Sequence, residues 1–204
     1  MSTIDTLILY NMFMLSDGDF KSPEKVGWVN KFDQDIRFKT LLEIGVKTDD
    51  TILDWGCGLG HLIDYMNINN VFVNYIGIDI NEDSLIETRK MFPDNNFKVG
   101  DIEDETEKYD WILASGIFSF QVSKEEMFRK LDKALALSNK GVAFNCLIKS
   151  ELFPEELGYS TFDSNEILKD LCVRYKQDSS IWVSLITDYT HDDFTIYLKK
   201  IYHE

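Results

Sequence analysis

The sequence predicts an α/β fold: a seven-stranded, mostly parallel sheet with helices on both faces, closed by a C-terminal antiparallel hairpin. Three observations carry this. From Thr51 to Lys149 short apolar runs alternate with amphipathic stretches, the pattern of parallel strands joined by crossover helices. Helix start signals fall between those runs. The last two strand-like runs are joined by the short stretch Asp188-Tyr189-Thr190-His191-Asp192-Asp193, which leaves no room for a crossover helix. They must therefore be antiparallel neighbours.

The five alternating runs are Thr51-Ile52-Leu53-Asp54, Tyr75-Ile76-Gly77-Ile78-Asp79, Asn96-Phe97-Lys98-Val99, Trp111-Ile112-Leu113-Ala114 and Gly141 to Ile148. The hairpin pairs Ile181 to Ile186 with Phe194 to Leu198. Asn81, followed by Glu82 and Asp83, caps a helix that stops before Pro93, and Ser123 with Glu126 forms a capping box. A further helix begins near Asp163 or Ser164, with Ile167, Leu168, Leu171 and Cys172 on one face. Upstream, Val29, Phe32, Ile36 and Leu41 predict a helix leading into the first strand, along the apolar face.

With 204 residues and 44% hydrophobic content, the chain is large enough for one sizeable core. It reads as a single domain, with an N-terminal helical extension (1–45) ahead of a core (46–204). No apolar stretch approaches the length of a membrane span and no export signal stands at the N-terminus, so a soluble, cytoplasmic protein is expected. Cys57, Cys146 and Cys172 are odd in number and widely spaced, which suits free thiols in a reducing compartment. Thirty-six acidic against twenty-one basic residues give a net charge of −15. That balance lacks the basic footprint of a nucleic-acid binder, and DNA or RNA is not an expected partner.

In an open parallel sheet, ligands bind at the carboxyl ends of the strands where the strand order reverses. The turn after the first run, Gly56-Cys57-Gly58-Leu59-Gly60, lies there and opens a helix at His61. Alternate glycines permit positive φ and a close backbone approach to a ligand. A dinucleotide fingerprint would read Gly-x-Gly-x-x-Gly, but His61 stands where its third glycine falls, which argues against a nicotinamide-dependent oxidoreductase. No Gly-Lys-Ser/Thr is present, so a P-loop is excluded. Asp79, at the end of the second run, is placed to accept hydrogen bonds from ribose hydroxyls. Asp101, in Gly100-Asp101-Ile102, is placed to accept from an adenine amino group.

These pieces together resemble the class I S-adenosylmethionine-dependent methyltransferases, whose fold is Rossmann-like. The matching segments are Ile52 to Gly60, Ile76-Gly77-Ile78-Asp79, Lys98-Val99-Gly100-Asp101-Ile102 and Tyr109 to Ser115. The resemblance implies S-adenosyl-L-methionine as cofactor. Gly56, Cys57, Gly58 and Gly60 would line its methionine part, with Asp54 ordering the loop or meeting the amino group. Asp79 would take the ribose, Ile80 the adenine face, and Asp101 with Ile102 the adenine edge. Ala114 and Ser115 would face the transferring methyl group. The stretch Gly27-Trp28-Val29-Asn30 to Arg37-Phe38 looks like a lead-in helix that folds over the site, where Arg37 meets either the cofactor carboxylate or a surface acid.

The acceptor is less legible. After the fourth run, Ala114 to Gln121 lacks the Asn/Asp-Pro-Pro-Tyr pattern of amino-group methylases, which disfavours such acceptors; the leading expectation is a small-molecule or saccharide-type acceptor methylated at oxygen. Phe118 and Phe120 are candidate pocket walls or core contacts, and Ser119 and Gln121 candidate polar contacts. A hydroxyl acceptor calls for a general base. Of His61, His191 and His203, the weak candidate is His191, beside Asp188 and Tyr189. No metal-ligand spacing is present, and the acidic run Asp101 to Asp110 reads as a solvated face. A non-catalytic S-adenosylmethionine-binding sensor or partner subunit is the alternative reading, because loop and ribose acid serve binding and catalysis alike.

Overall fold

The structure is a computed structural model that describes Asp19, residues 21–26, Trp28 and residues 30–201. Gly27, Val29 and His203, named above, lie outside the described residues, as do residues 1–18 of the expected extension.

The described chain runs α1 (Lys31–Leu42), β1 (Thr51–Trp55), α2 (His61–Ile68), β2 (Asn74–Asp79), α3 (Glu82–Met91), β3 (Asn96–Val99) and β4 (Tyr109–Ala114). It continues through α4 (Lys124–Leu137), β5 (Ser138–Ile148), β6 (Thr161–Phe162), α5 (Ser164–Tyr175), β7 (Ile181–Ile186) and β8 (Asp193–Lys200). The caps act as predicted: Asn81 accepts from the N–H groups of Asp83 and Ser84, Ser123 from Glu126, and Asp163 from Glu166.

The strands lie in the order β3-β2-β1-β4-β5-β8-β7. β1 to β5 are mutually parallel, while β8 runs antiparallel to both β5 and β7. An eighth strand, the two-residue β6, pairs with β5 beside this path and adds one strand to the seven predicted. Two residues are too few to carry a period-2 signal. Order reverses between β1 and β4, where the two neighbours of β1 lie on opposite sides, so the crevice falls at the end of β1 as predicted.

Alternation along the central strands divides the core into two layers. Leu53, Ile112, Val142 and Phe144 face Met127 and Leu131 of α4 and Ile167 and Leu171 of α5. Ile52, Leu113 and Ala143 face Phe38 and Leu41 of α1 and Leu62 and Met66 of α2. Helices thus cover both faces, as an all-parallel centre requires.

Two predicted helix faces are corrected. In α1, Phe32 is 74% exposed, and the buried face is Gln34, Arg37, Phe38, Thr40 and Leu41. The periodicity misled because three polar residues occupy that face, each with a partner: Gln34 with His61, Arg37 with Asp193, and the Thr40 hydroxyl with the Ile36 carbonyl. In α5, Ile167 and Leu171 are buried but Cys172 is exposed. All three cysteines are free. The acidic run is also not uniformly solvated. Glu105 is buried and accepts from the Lys98 ammonium and the N–H groups of Thr106 and Glu107. Burial pushes its carboxyl up, but those donors outweigh it and hold the pKa at about 2.

Gly77 in β2 sets how closely the glycine loop can settle on the sheet. A Cβ there would lie 2.7 Å from the Cys57 Sγ and 2.8 Å from the Phe97 ring. Gly77→Ala is therefore expected to destabilise the fold by about 1–3 kcal/mol through overpacking, read as a lowered urea midpoint.

Candidate functional site

The glycine loop is held by the end of β2. Gly56, Gly58 and Gly60 take φ of 79°, 49° and 74°, a region other residues enter at a cost. The Gly56 and Cys57 N–H groups both donate to the Ile78 carbonyl, at 2.8 and 3.0 Å. The Gly58 N–H donates to Asp79 Oδ2 at 2.8 Å, and the Thr88 hydroxyl of α3 donates to the Gly58 carbonyl at 3.0 Å. Gly60 is the N-cap of α2, which opens at His61. The Cys57 side chain turns into the core against Gly77, and burial pushes its thiol well up. Only the Cys57 backbone is left to face a ligand.

Two buried carboxylates stand under this loop. Asp79 accepts the Gly58 N–H on one oxygen and the Asn81 N–H on the other, at 2.8 Å each. Burial raises its pKa, opposed by those backbone donors. Asp54, at β1, accepts the Tyr75 hydroxyl at 2.6 Å. Burial raises it to about 7, opposed by Tyr75 and reinforced by the Asp79 charge. Beside Asp79, Ile80 is 38% exposed, an apolar side chain left at the strand end.

Asp101 is already engaged. The Trp55 indole N–H and the Ile102 N–H donate to Oδ1 at 2.9 and 2.7 Å, and the Lys130 ammonium to Oδ2 at 2.7 Å. A carboxylate offers about four lone-pair sites, so one remains. The Ile102 side chain is fully buried in the core, which leaves only its backbone available to a ligand edge.

At the end of β4, Ala114 is buried and Ser115 half-buried. The turn that follows is fixed from β5: the Gly116 N–H donates to Asn145 Oδ1 at 2.7 Å, and Asn145 Nδ2 donates to the Ser115 hydroxyl at 3.4 Å. Ile117 packs onto Gly56, so this turn touches the glycine loop. Trp28 lies against Gly116, where a Cβ would come within 3.0 Å of its ring. The Arg37 guanidinium sits 4.5 Å from the Trp28 ring centroid. Phe118 is core, edge-on to Trp55 and Phe144 at 5.4 and 5.6 Å. Phe120 stacks on Tyr159 at 4.7 Å.

Arg37 makes a buried ion pair, Nε to Asp193 Oδ2 at 2.6 Å, rather than the surface pair considered from sequence. Burial raises Asp193 to about 6 against the pull of Arg37. The Tyr189 hydroxyl donates to Asp193 at 3.0 Å and lies 2.8 Å from Thr195 Oγ1. Tyr189 therefore belongs to this cluster, whereas His191 and Asp188 are exposed in the turn and are not brought to it. His61 faces Gln34 at 2.7 Å. Trp55, Tyr75, Thr88 and Asn145 were not picked out from sequence. Only Asn145 carried a signal, as a polar residue inside the apolar run of β5. Among the described residues no group of three His, Cys, Asp or Glu is placed to hold a metal ion, and no helix is long and apolar enough to cross a membrane.

A mostly parallel sheet in this strand order, with an antiparallel closing pair and a glycine loop at the reversal, defines a Rossmann-like fold of the class I methyltransferase type. Comparison with known proteins agrees. A family described as "Methyltransferase domain" matches residues 46–195, about three quarters of the chain, and the chain belongs to that family. A Mycobacterium tuberculosis protein assigned as a methyltransferase is 29% identical over 163 residues, covering 74% of this chain and 93% of that protein. Among solved structures, the N-methyltransferase NodS of Bradyrhizobium japonicum, in complex with S-adenosyl-L-homocysteine, superposes with TM-score 0.70 at 12% identity. That match covers 96% of this chain and 98% of NodS. Magnesium protoporphyrin IX methyltransferase of Synechocystis PCC 6803, with the same compound bound, gives 0.63 at 17%, covering 96% and 94%.

The raised pKa of Asp54 has a testable sign. Its ordinary value is about 3.9, so between about pH 4 and 7 the folded state binds the extra proton, and stability falls as pH rises through that window. Asp54→Asn keeps an acceptor for Tyr75 and does not titrate. Urea unfolding at pH 4 to 8 is expected to show a flatter decline in the variant, by roughly 2–4 kcal/mol across the window.

Proposed function

We propose that this protein transfers a methyl group from S-adenosylmethionine to oxygen of a small-molecule or saccharide-type acceptor. The observation that carries the reading is the pair of buried carboxylates beneath a glycine loop. Asp54 is held near neutrality by burial, and a ligand that brings an ammonium group and ribose hydroxyls supplies what the pair lacks. Asp79 retains a lone pair on each oxygen for the ribose. Gly56, Gly58, Gly60 and the Cys57 backbone line the methionine part, with Asp54 toward its amino group. Ile80 covers an adenine face, Asp101 with the backbone of Ile102 takes its edge, and Ala114 and Ser115 face the reacting methyl. Residues 46–204 are read as the cofactor-binding core and 1–45 as an extension over it.

When bound, the cofactor supplies an electrophilic methyl on a sulfonium: the S–C bond breaks with its electron pair left on sulfur, and an O–C bond forms as the hydroxyl proton leaves to solvent. The protein's part is orientation and exclusion of water, worth on the order of 7–11 kcal/mol in such displacements. Trp28 over Gly116 and Ile117 over Gly56 support that role. The proposal needs no dedicated base, in keeping with the exposure of His191. The negative net charge and free thiols support a small-molecule acceptor over a nucleic acid, and a cytoplasmic location.

Calorimetry with S-adenosylmethionine, S-adenosylhomocysteine and NAD tests the reading. Binding of both adenosyl compounds is expected; binding of NAD alone overturns it. Asp79→Ala should weaken S-adenosylhomocysteine at least tenfold with an unchanged far-UV spectrum. Cofactor binding without methyl transfer to any acceptor in a metabolite extract favours a sensor instead. Because a ligand ammonium favours ionised Asp54, affinity should rise with pH through about 7, and Asp54→Asn should remove that dependence.

A further inference from the structure

We infer that the loop after β4 carries an acceptor subsite in which the Gln121 amide oxygen takes a hydrogen bond from a hydroxyl on an aromatic ring. The inference rests on the methyl-transfer reading above. Gln121 holds φ of 51°, a conformation in which a residue with a Cβ is strained, and such strain collects where a side chain must be aimed. Its Oε1 is shielded from solvent yet has no hydrogen-bond partner among the described residues. A buried carbonyl left in that state is costly, and a ligand donor relieves it.

The backbone around Gln121 is not loose. Its N–H donates to the Gly158 carbonyl at 3.0 Å, and its side chain lies along Gly158, where a Cβ would come within 3.2 Å of Nε2. The Val122 N–H donates to the Ser160 hydroxyl at 2.8 Å, and the Ser160 N–H to the Ser119 carbonyl at 2.9 Å. The loop that starts on Gly56 through Ile117 is thus fastened at its far end to the segment after β5. That segment supplies aromatic and apolar surface. Tyr159 stacks on Phe120 and lies 5.4 Å from Phe153, while Leu152 and Leu157 are 70% and 66% exposed. One orphaned acceptor amid apolar side chains suits a ring with a single donor better than a saccharide, which needs many polar partners. Exposed Glu155 and Glu156 on the same segment disfavour an anionic acceptor.

The test uses the whole protein saturated with S-adenosylhomocysteine and two fluorinated probes, 4-fluorophenol and 4-fluoroanisole, followed by fluorine NMR titration. Wild type is expected to bind the phenol at least tenfold more tightly than the ether, which has the same ring but no donor. Gln121→Gly, which relieves the positive φ, should bring the ratio near one while S-adenosylhomocysteine affinity stays within twofold and the Tm is not lowered. Gln121→Asn, also tolerant of that conformation, serves if the glycine variant fails to fold. Equal binding of the two probes, a preference for the ether, tighter binding of methyl glucoside, or discrimination retained in the variants each overturns the subsite. Wild type that binds S-adenosylhomocysteine but neither probe overturns the subsite alone; wild type that binds no S-adenosylhomocysteine overturns the methyl-transfer reading and the subsite together.

Discussion

The close seating of the loop after β1 on the end of β2 is the constraint on which the site depends. One carbonyl, that of Ile78, accepts two successive loop N–H groups, and the next residue, Asp79, accepts a third through its side chain. This places the loop backbone in contact with the strand end and requires small residues on both sides. Gly56 and Gly60 have no room for a side chain because Ile117 and the Thr88 and Phe92 side chains fill it, and Gly77 has none because Cys57 does. The positive φ values follow from the same compression. What reads as a ligand loop is equally a packing solution for three crossing segments.

Around this seat, several buried or part-buried polar groups are held in pairs. Asp54 has Tyr75, Asp101 has Trp55 and Lys130, Asn145 has Gly116 and Ser115, and Arg37 has Asp193. Each bond joins two different elements, so each fixes an orientation while satisfying a donor and an acceptor that burial would otherwise penalise. The Arg37–Asp193 pair is the most demanding of them. Removing one partner leaves a buried charge, a loss of about 3–5 kcal/mol, although the intact pair contributes little net stability against an apolar substitute. Its value is geometric: it fixes α1 against the closing hairpin and holds Arg37 beneath Trp28.

The sheet, the order of elements along the chain, the capping residues and the glycine loop were legible because each rests on local signals: short apolar runs, Asn and Ser caps, and glycine spacing. Asp79 and Ile80 could be placed at the end of β2 because a strand end has a fixed position in an open sheet. Other features depend on contacts distant in sequence. The buried face of α1 was misread because Gln34 and Arg37 are polar, and only His61 and Asp193 make their burial tolerable. Asp101 was placed just after β3, but its engagement by Trp55 and Lys130 comes from residues 46 and 29 positions away. Glu105 disappeared for a different reason: its partners Lys98, Thr106 and Glu107 are near in sequence, but the composition of an acidic run does not show the turn that gathers them. In the closing turn, Tyr189 reaches Asp193 and Thr195 while His191 stays exposed, a difference that residue type alone does not announce.

The ion pair between α1 and β8 spans 156 residues of sequence, nearly the whole described chain. On a ribosome adding about 5–20 residues per second, Arg37 emerges roughly 8–30 s before the carboxylate that neutralises it. Until then α1 can pack on the β1, β4 and β5 face and on α2 but lacks the partner of Arg37, and β5 lacks its antiparallel neighbour β8. The nascent chain must hold a solvated arginine and an open sheet edge until β8 has been made. The pairing that closes this side of the sheet therefore waits for β8, and removal of that strand would leave Arg37 without its carboxylate and β5 without its antiparallel neighbour.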